Sequence, residues 1–158
     1  MKFYDLSDLN HDPAIAQAMG NLVVAWSRAE TALGFALAAV TSMDVNVAQQ
    51  GYFRIPTFEA RYKFIVEVLR HGNFEETWRG AMIRAVEKLA KLSSTRNSYI
   101  HGSWCVEGTS NKTVLFHLRV DGDGRRQEVK AADIKQHCEA VLGRVADLRE
   151  LLPDAPWT

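Results

Sequence analysis

The stretch Leu89-Ala90-Lys91-Leu92-Ser93-Ser94-Thr95-Arg96-Asn97-Ser98-Tyr99-Ile100-His101-Gly102-Ser103-Trp104-Cys105-Val106-Glu107 decides the fold, because its apolar periodicity changes partway along. Up to His101, the residues Met82, Val86, Leu89, Ser93, Arg96 and Ile100 follow one another at four-three spacing, which is one face of a helix. Beyond Gly102, Trp104 and Val106 alternate with Cys105 and Glu107, the period of a strand. Val114, Phe116, Leu118 and Val120 continue that alternation against Thr113, Leu115, His117 and Arg119. Asp121-Gly122-Asp123-Gly124 then marks a turn, and residues 126–129 return as a third short strand.

Working outward, a helical pattern precedes this stretch twice more and follows it once. Asp12-Pro13 supplies an N-cap and a first helical residue, and a helix runs from there to about residue 41. Its stripe reads Met19, Val23, Trp26, Leu33, Leu37, Val40, with Gly20 and Gly34 as marks of close helix contact. Residues 43–56 read as a connection. Thr57 caps a second helix over 58–70, with Phe58, Tyr62, Ile65, Val66 and Leu69 on its apolar face. The third helix spans 75–101, opened by Glu75 and Glu76. The last runs from 131 or 132 to 152, with Ile134, Cys138, Val141, Leu142, Val145, Leu148 and Leu152 inward, and Pro153 follows it. The expected fold is mainly α: an antiparallel bundle of about four helices. A small antiparallel β-hairpin or three-stranded meander, about residues 103–129, lies between the third and last helices of a single domain over 1–158.

Composition narrows the function. The chain has 158 residues, 47% hydrophobic and 24% charged, and 19 Lys+Arg balance 19 Asp+Glu. Zero net charge excludes a protein that grips nucleic acid by bulk positive charge. Two cysteines are too few for a disulfide scaffold, and no uninterrupted apolar run reaches the length of a membrane span. The expectation is a reduced cytoplasmic domain without membrane attachment. Charge is uneven, however. Residues 1–50 carry two bases and five acids, 51–104 nine bases and five acids, and 105–158 eight bases and nine acids. An anion is therefore expected at the middle third.

Two residues break the stripes. Glu30 fills the gap between Trp26 and Leu33, and Arg96 takes an inward position on the third helix. Each is costly there unless paired, so Glu30 and Arg96 are expected to hold one another. Asn97 and His101 stand four apart on one helix face, and Gly102 closes the helix behind them. A histidine followed by a C′ glycine is also an ordinary helix end, as His71-Gly72 shows in this same chain.

The segment from Arg96 to Trp104 resembles the signature of the HEPN superfamily, an Arg and a His with four to six residues between them and a polar residue after the Arg. Here the spacing is four and the polar residue is Asn97. Trp26, Glu30 and Leu33 on a long first helix, and residues 58–69 with Lys63, are similar to the first two helices of that superfamily. The resemblance implies a HEPN-like bundle and a homodimer in which two motifs face one cleft. It implies a metal-independent endoribonuclease of a toxin or prokaryotic defence type, without cofactor. His101 would be the general acid or base, Arg96 the group that stabilises phosphate charge, and Asn97 the residue that orients His101 or the phosphate. Glu30 is expected to support Arg96, and Arg79, Arg84, Lys88 and Lys91 to guide RNA along the third helix. An antitoxin or nucleotidyltransferase partner belongs to the same resemblance, although Ser103 stands where some HEPN toxins carry the tyrosine such a partner modifies. The alternative is a non-catalytic HEPN-like module for dimerisation or RNA or nucleotide binding, with a structural Arg96–Glu30 pair. No metal is expected, since Cys105, Cys138 and the five histidines are not at ligand spacing.

Overall fold

Asp12 Oδ1 accepts a hydrogen bond from the Ile15 amide at 3.1 Å, and Pro13 occupies the first helical position, where its missing N–H is not needed. From this cap α1 runs Pro13–Thr41. It closes on Ser42, whose φ of 54° is the left-handed conformation more often supplied by glycine. The computed structural model describes residues 3–5, 8–117 and 125–157.

The remaining elements, in chain order, are β1 Phe3–Asp5 ahead of α1, then α2 Val45–Arg54, α3 Phe58–His71, α4 Glu76–Lys91, α5 Ser93–His101, β2 Ser103–Glu107, β3 Thr113–His117, β4 Arg125–Glu128 and α6 Ala131–Leu151. The chain is thus mainly α with a small antiparallel sheet. Its strands lie in the order β1-β2-β3-β4, each antiparallel to its neighbour. The register pairs Tyr4 with Val106, Cys105 with Val114, and Val114 with Glu128. The expected turn at Asp121–Gly124 and strand residues 118–120 lie outside the described residues.

Several expectations are corrected. Residues 43–56 are not a plain connection: Asp44 Oδ1 accepts from the Asn46 and Val47 amides and starts α2, which buries Ala48 and Tyr52. The expected helix over 75–101 is two helices. At Leu92 the amide bonds Leu89 O at 3.0 Å, three residues back, and the tightened turn resets the helix phase. On α5 the buried residue is Tyr99 rather than Ile100. Of the expected stripe of α1, Trp26, Leu33, Leu37 and Val40 are buried and Val23 is 53% exposed. Ile15, Ala18, Leu22, Ala25, Ala29 and Ala32 are buried too, so the covered face is wider than the stripe and at the start of the helix lies one position from it. Gly34 does mark a close approach, since a Cβ there would meet the Gln49 side chain at 2.5 Å, whereas Gly20 faces open space.

The caps of α3 and α4 follow the sequence. Thr57 Oγ1 accepts from Ala60 N at 3.1 Å. Glu75 caps α4 by accepting from the Thr77 and Trp78 amides, and those amides hold its carboxyl below the usual range. The two glycine helix ends work differently from expectation. Gly72 has φ −79°, so it is not left-handed; a side chain there would strike Phe74 and the Val68 carbonyl. At Gly102 a Cβ would lie 2.6 Å from Leu115 Cδ1 and 2.8 Å from Ser98 O. Glycine is needed there for close approach of α5 to β3.

The contacts cluster into two compact units. The first comprises Met1–Val24 and Ser93–Glu139, which brings together the sheet, α5, the start of α1 and the start of α6. The second comprises Ala25–Leu92 and Ala140–Thr158, which holds the rest of α1, α2, α3, α4 and the rest of α6. In the first unit Asp12 Oδ2 accepts from Thr113 Oγ1 at 3.1 Å, tying the cap of α1 to β3. In the second, Trp78 Nε1 donates to Leu151 O at 3.1 Å, tying α4 to the end of α6. Among the described residues α1 is the one helix long and apolar enough to cross a membrane, and 61% of its most apolar window is buried inside the protein. That burial matches a core helix.

Candidate functional site

Helix α5 carries Arg96, Asn97 and His101. Its placement within the first unit rests on three contacts. The Tyr99 ring meets His137 of α6 edge-on, with centroids 6.0 Å apart. Trp104 Nε1 of β2 donates to the Tyr99 carbonyl at 3.1 Å. Gly102 sits against Leu115. Burial pushes the Tyr99 hydroxyl up from its ordinary value, helped by the negative charges of Asp133 and of Cys138 when ionised. Tyr99 is therefore a neutral packing residue that fixes which face of α5 looks outward.

That outward face holds the candidate site. Asn97 and His101 are exposed, one turn apart, and Arg96 is partly buried. Arg96 Nη1 donates to Asn97 Oδ1 at 3.0 Å, so the amide anchors the guanidinium beside the pair. His101 is the last residue of α5, and the Gly102 amide bonds Ser98 O at 3.1 Å behind it. Asn97 and His101 share the exposed face, while Arg96, about 140° round the helix from His101, is half-buried and reaches that face through Asn97. The three offer a forked cation, an amide and an exposed imidazole, groups able to bind a phosphodiester and move a proton.

Glu30, expected to support Arg96, has Arg61 as a partner: its Oε1 accepts from Arg61 Nη1 at 2.6 Å, with side-chain exposures of 19% and 15%. Arg61 Nε also donates to Ile55 O at 2.8 Å, and its guanidinium lies over the rings of Tyr52 and Phe53, at 5.2 and 5.3 Å. The Tyr52 hydroxyl is pushed well above its ordinary range, first by burial and then by the Glu30 charge, with Arg61 opposing. This cluster joins α1, α2 and α3 inside the second unit. Sequence reasoning missed Arg61, although the signal existed: it stands three after Phe58 and four before Ile65, on the inward stripe of α3.

The four expected RNA-guiding residues lie on α4. Arg84, Lys88 and Lys91 share one face, being four and three residues apart, while Arg79 is about 140° round the helix from Arg84. The Arg84 guanidinium lies back over Gly80. Lys91 lines a cleft of about 530 Å³ between α3 and α4, where Arg70 is bonded to both Glu67 (3.0 Å) and Glu87 (3.4 Å). The charges of that cleft are thus largely balanced from within. Among the described residues no group of three or more His, Cys, Asp or Glu could hold a metal ion. Comparison of the chain with protein-family models, with curated proteins and with solved structures finds no match.

Proposed function

We propose that the chain is a HEPN-like, metal-independent endoribonuclease that works as a homodimer, with Arg96, Asn97 and His101 of α5 at the cleavage site. The observation that carries this reading is the Arg96–Asn97 hydrogen bond one turn from an exposed His101, which links a half-buried phosphate binder to the face that carries the proton carrier. In such a reaction the 2′-hydroxyl attacks the adjacent phosphorus and the 5′-oxygen leaves. His101 exchanges the proton and Arg96 stabilises the charge that develops on the phosphate oxygens. Asn97 acts by holding Arg96. Glu30 belongs to the Arg61 cluster. Arg84, Lys88 and Lys91 supply a basic face for RNA, and an antitoxin-type protein is a further partner of this reading.

One observation favours a second reading, a non-catalytic helical module for dimerisation or RNA or nucleotide binding. His71 ends α3 much as His101 ends α5: the following Gly72 amide bonds Val68 O at 2.8 Å, and His71 is also exposed. The experiment that separates the two is RNA cleavage in the presence of a chelator by the wild type, Arg96→Ala, His101→Ala and His71→Ala, each checked for folding by circular dichroism. The nuclease reading expects loss in the first two variants, on the order of a hundredfold or more for a positioned acid–base group. It expects wild-type activity in His71→Ala. Equal cleavage by wild type and His101→Ala, or none by wild type, leaves the binding module.

A further inference from the structure

A second cleft, of about 520 Å³, lies between α1 and α6 in the second unit and differs in kind from the one between α3 and α4. Its walls carry two cations, Arg28 and Arg149, and no carboxylate is among the described residues that line it. Beside them stand the hydroxyl groups of Ser27 and Thr31 and an apolar wall that includes Phe35, Leu142 and Trp157. Trp157 is held firmly: its Nε1 donates to Leu152 O at 2.8 Å, and its ring meets Phe35 edge-on at 5.0 Å. The Arg149 guanidinium lies over that ring, 5.9 Å from its centroid, which orients the cation at the cleft before any ligand arrives. Leu142 is 39% exposed although it sits on a helix whose other apolar residues are largely covered. The volume falls in the range of small-molecule sites, which are mostly apolar with a few placed polar groups.

Two guanidiniums on one cleft repel each other unless an anion joins them, and their forked donors match the oxygens of a phosphate. The apolar wall calls for a flat or hydrophobic body on the same molecule. We infer that this cleft binds a nucleoside phosphate, with the phosphate between Arg28 and Arg149 and the base along Trp157 and Leu142. The nucleotide can be a free mononucleotide or one residue of an RNA strand, and both present the same chemistry to the cleft. The inference does not depend on cleavage at α5.

The test is isothermal titration of the full chain with AMP, ribose 5-phosphate and adenosine, followed by competition of bound AMP with a short single-stranded oligoribonucleotide. AMP is expected to bind more tightly than either fragment. Arg28→Gln and Arg149→Gln are each expected to weaken AMP on the order of tenfold, as loss of one charged donor implies. Trp157→Leu is expected to erase the advantage of AMP over ribose 5-phosphate, and Arg96→Ala and His101→Ala to leave AMP affinity unchanged. Displacement of AMP by the oligoribonucleotide assigns the cleft to a strand, and failure to displace it assigns the cleft to the free nucleotide. Arg28 is exposed on α1, so Arg28→Gln decides the matter if Arg149→Gln does not fold. Absence of AMP binding to the wild type, equal affinity for adenosine, or unchanged AMP affinity in Arg28→Gln overturns the inference.

Discussion

Replacing Glu30 by Ala removes the carboxylate from a pair whose members are only 19% and 15% exposed. Breaking a fully buried ion pair by deleting one partner typically costs about 3–5 kcal/mol, because a charge is left in a poor solvent. Two features lower that figure here. Some water reaches both side chains, and Arg61 keeps its bond to Ile55 O and its place over Tyr52 and Phe53. A loss of about 2–3 kcal/mol is expected, which for a chain of this size lowers Tm by roughly 4–12 °C. The check is urea denaturation of Glu30→Ala, Arg61→Ala and the double variant, followed by both circular dichroism and tryptophan fluorescence to test for a single transition. The double variant is expected to lose less than the sum of the singles by about 1–2 kcal/mol, the mark of direct coupling. A Glu30→Ala chain within about 0.5 kcal/mol of wild type, or singles that add, refutes the view that this pair braces the second unit.

Three further outcomes follow from the structure. Gly102→Ala places a methyl against Leu115 and Ser98 O, so it is expected to cost about 1–3 kcal/mol in thermal melts, with Gly20→Ala, which meets nothing, near neutral or stabilising. Asp12→Ala removes both the cap of α1 and the bond to Thr113, and a loss of about 1–3 kcal/mol is expected, against a smaller effect for Asp12→Asn, which keeps one oxygen for the cap and offers an amide N–H that the Thr113 hydroxyl can accept. Tyr52 has its pKa raised by folding, so the folded state binds its proton more tightly than the unfolded state. Its contribution is complete below the ordinary tyrosine pKa of 10.0 and falls away as pH rises above it. Alkaline unfolding monitored from pH 9 upward is expected to be shallower in Tyr52→Phe, and an identical pH profile contradicts the assignment.

The helices that sequence reasoning delimited well are those with chemical punctuation. Asp12-Pro13, Thr57 and Pro153 each fix an end by a hydrogen bond or by a missing donor, and α1, α3 and α6 begin or stop there to within a residue or two. Helix α2 had only Asp44 as a signal, and its ten residues include the β-branched Val45 and Val47 and bury just two side chains, so no stripe could show. Strand β1 is three residues long and pairs with β2 about a hundred positions later, beyond any local pattern. The break at Leu92 lacks glycine and proline; it is a change in hydrogen-bond length of the turn, invisible in residue type. At the candidate site, the i,i+4 relation of Asn97 and His101 was readable because it is local. The partner of Glu30 was not, because periodicity tells which way a charge faces and not which helix lies opposite. Arg61 and Arg96 both satisfied the pattern, and the packing of α3 against α1 brings Arg61 to Glu30.

The order in which the chain supplies its two units bears on how it is made. The second unit draws most of its mass from one continuous stretch, Ala25–Leu92, which can assemble its pairs as soon as it emerges. The first unit cannot. Residues Met1–Val24 leave the ribosome before their partners, and β1 waits for β2, Asp12 for Thr113, and the Ala18 carbonyl for the Cys138 thiol, a separation of 120 residues. Closing such long loops is slow, and until then Ile15 and Leu22 lack their final cover. The leading segment is therefore the part of the nascent chain most in need of a chaperone. A truncation between residues 93 and 137 removes partners of the start of α1 while the stretch Ala25–Leu92, with the second half of the same helix, is already complete.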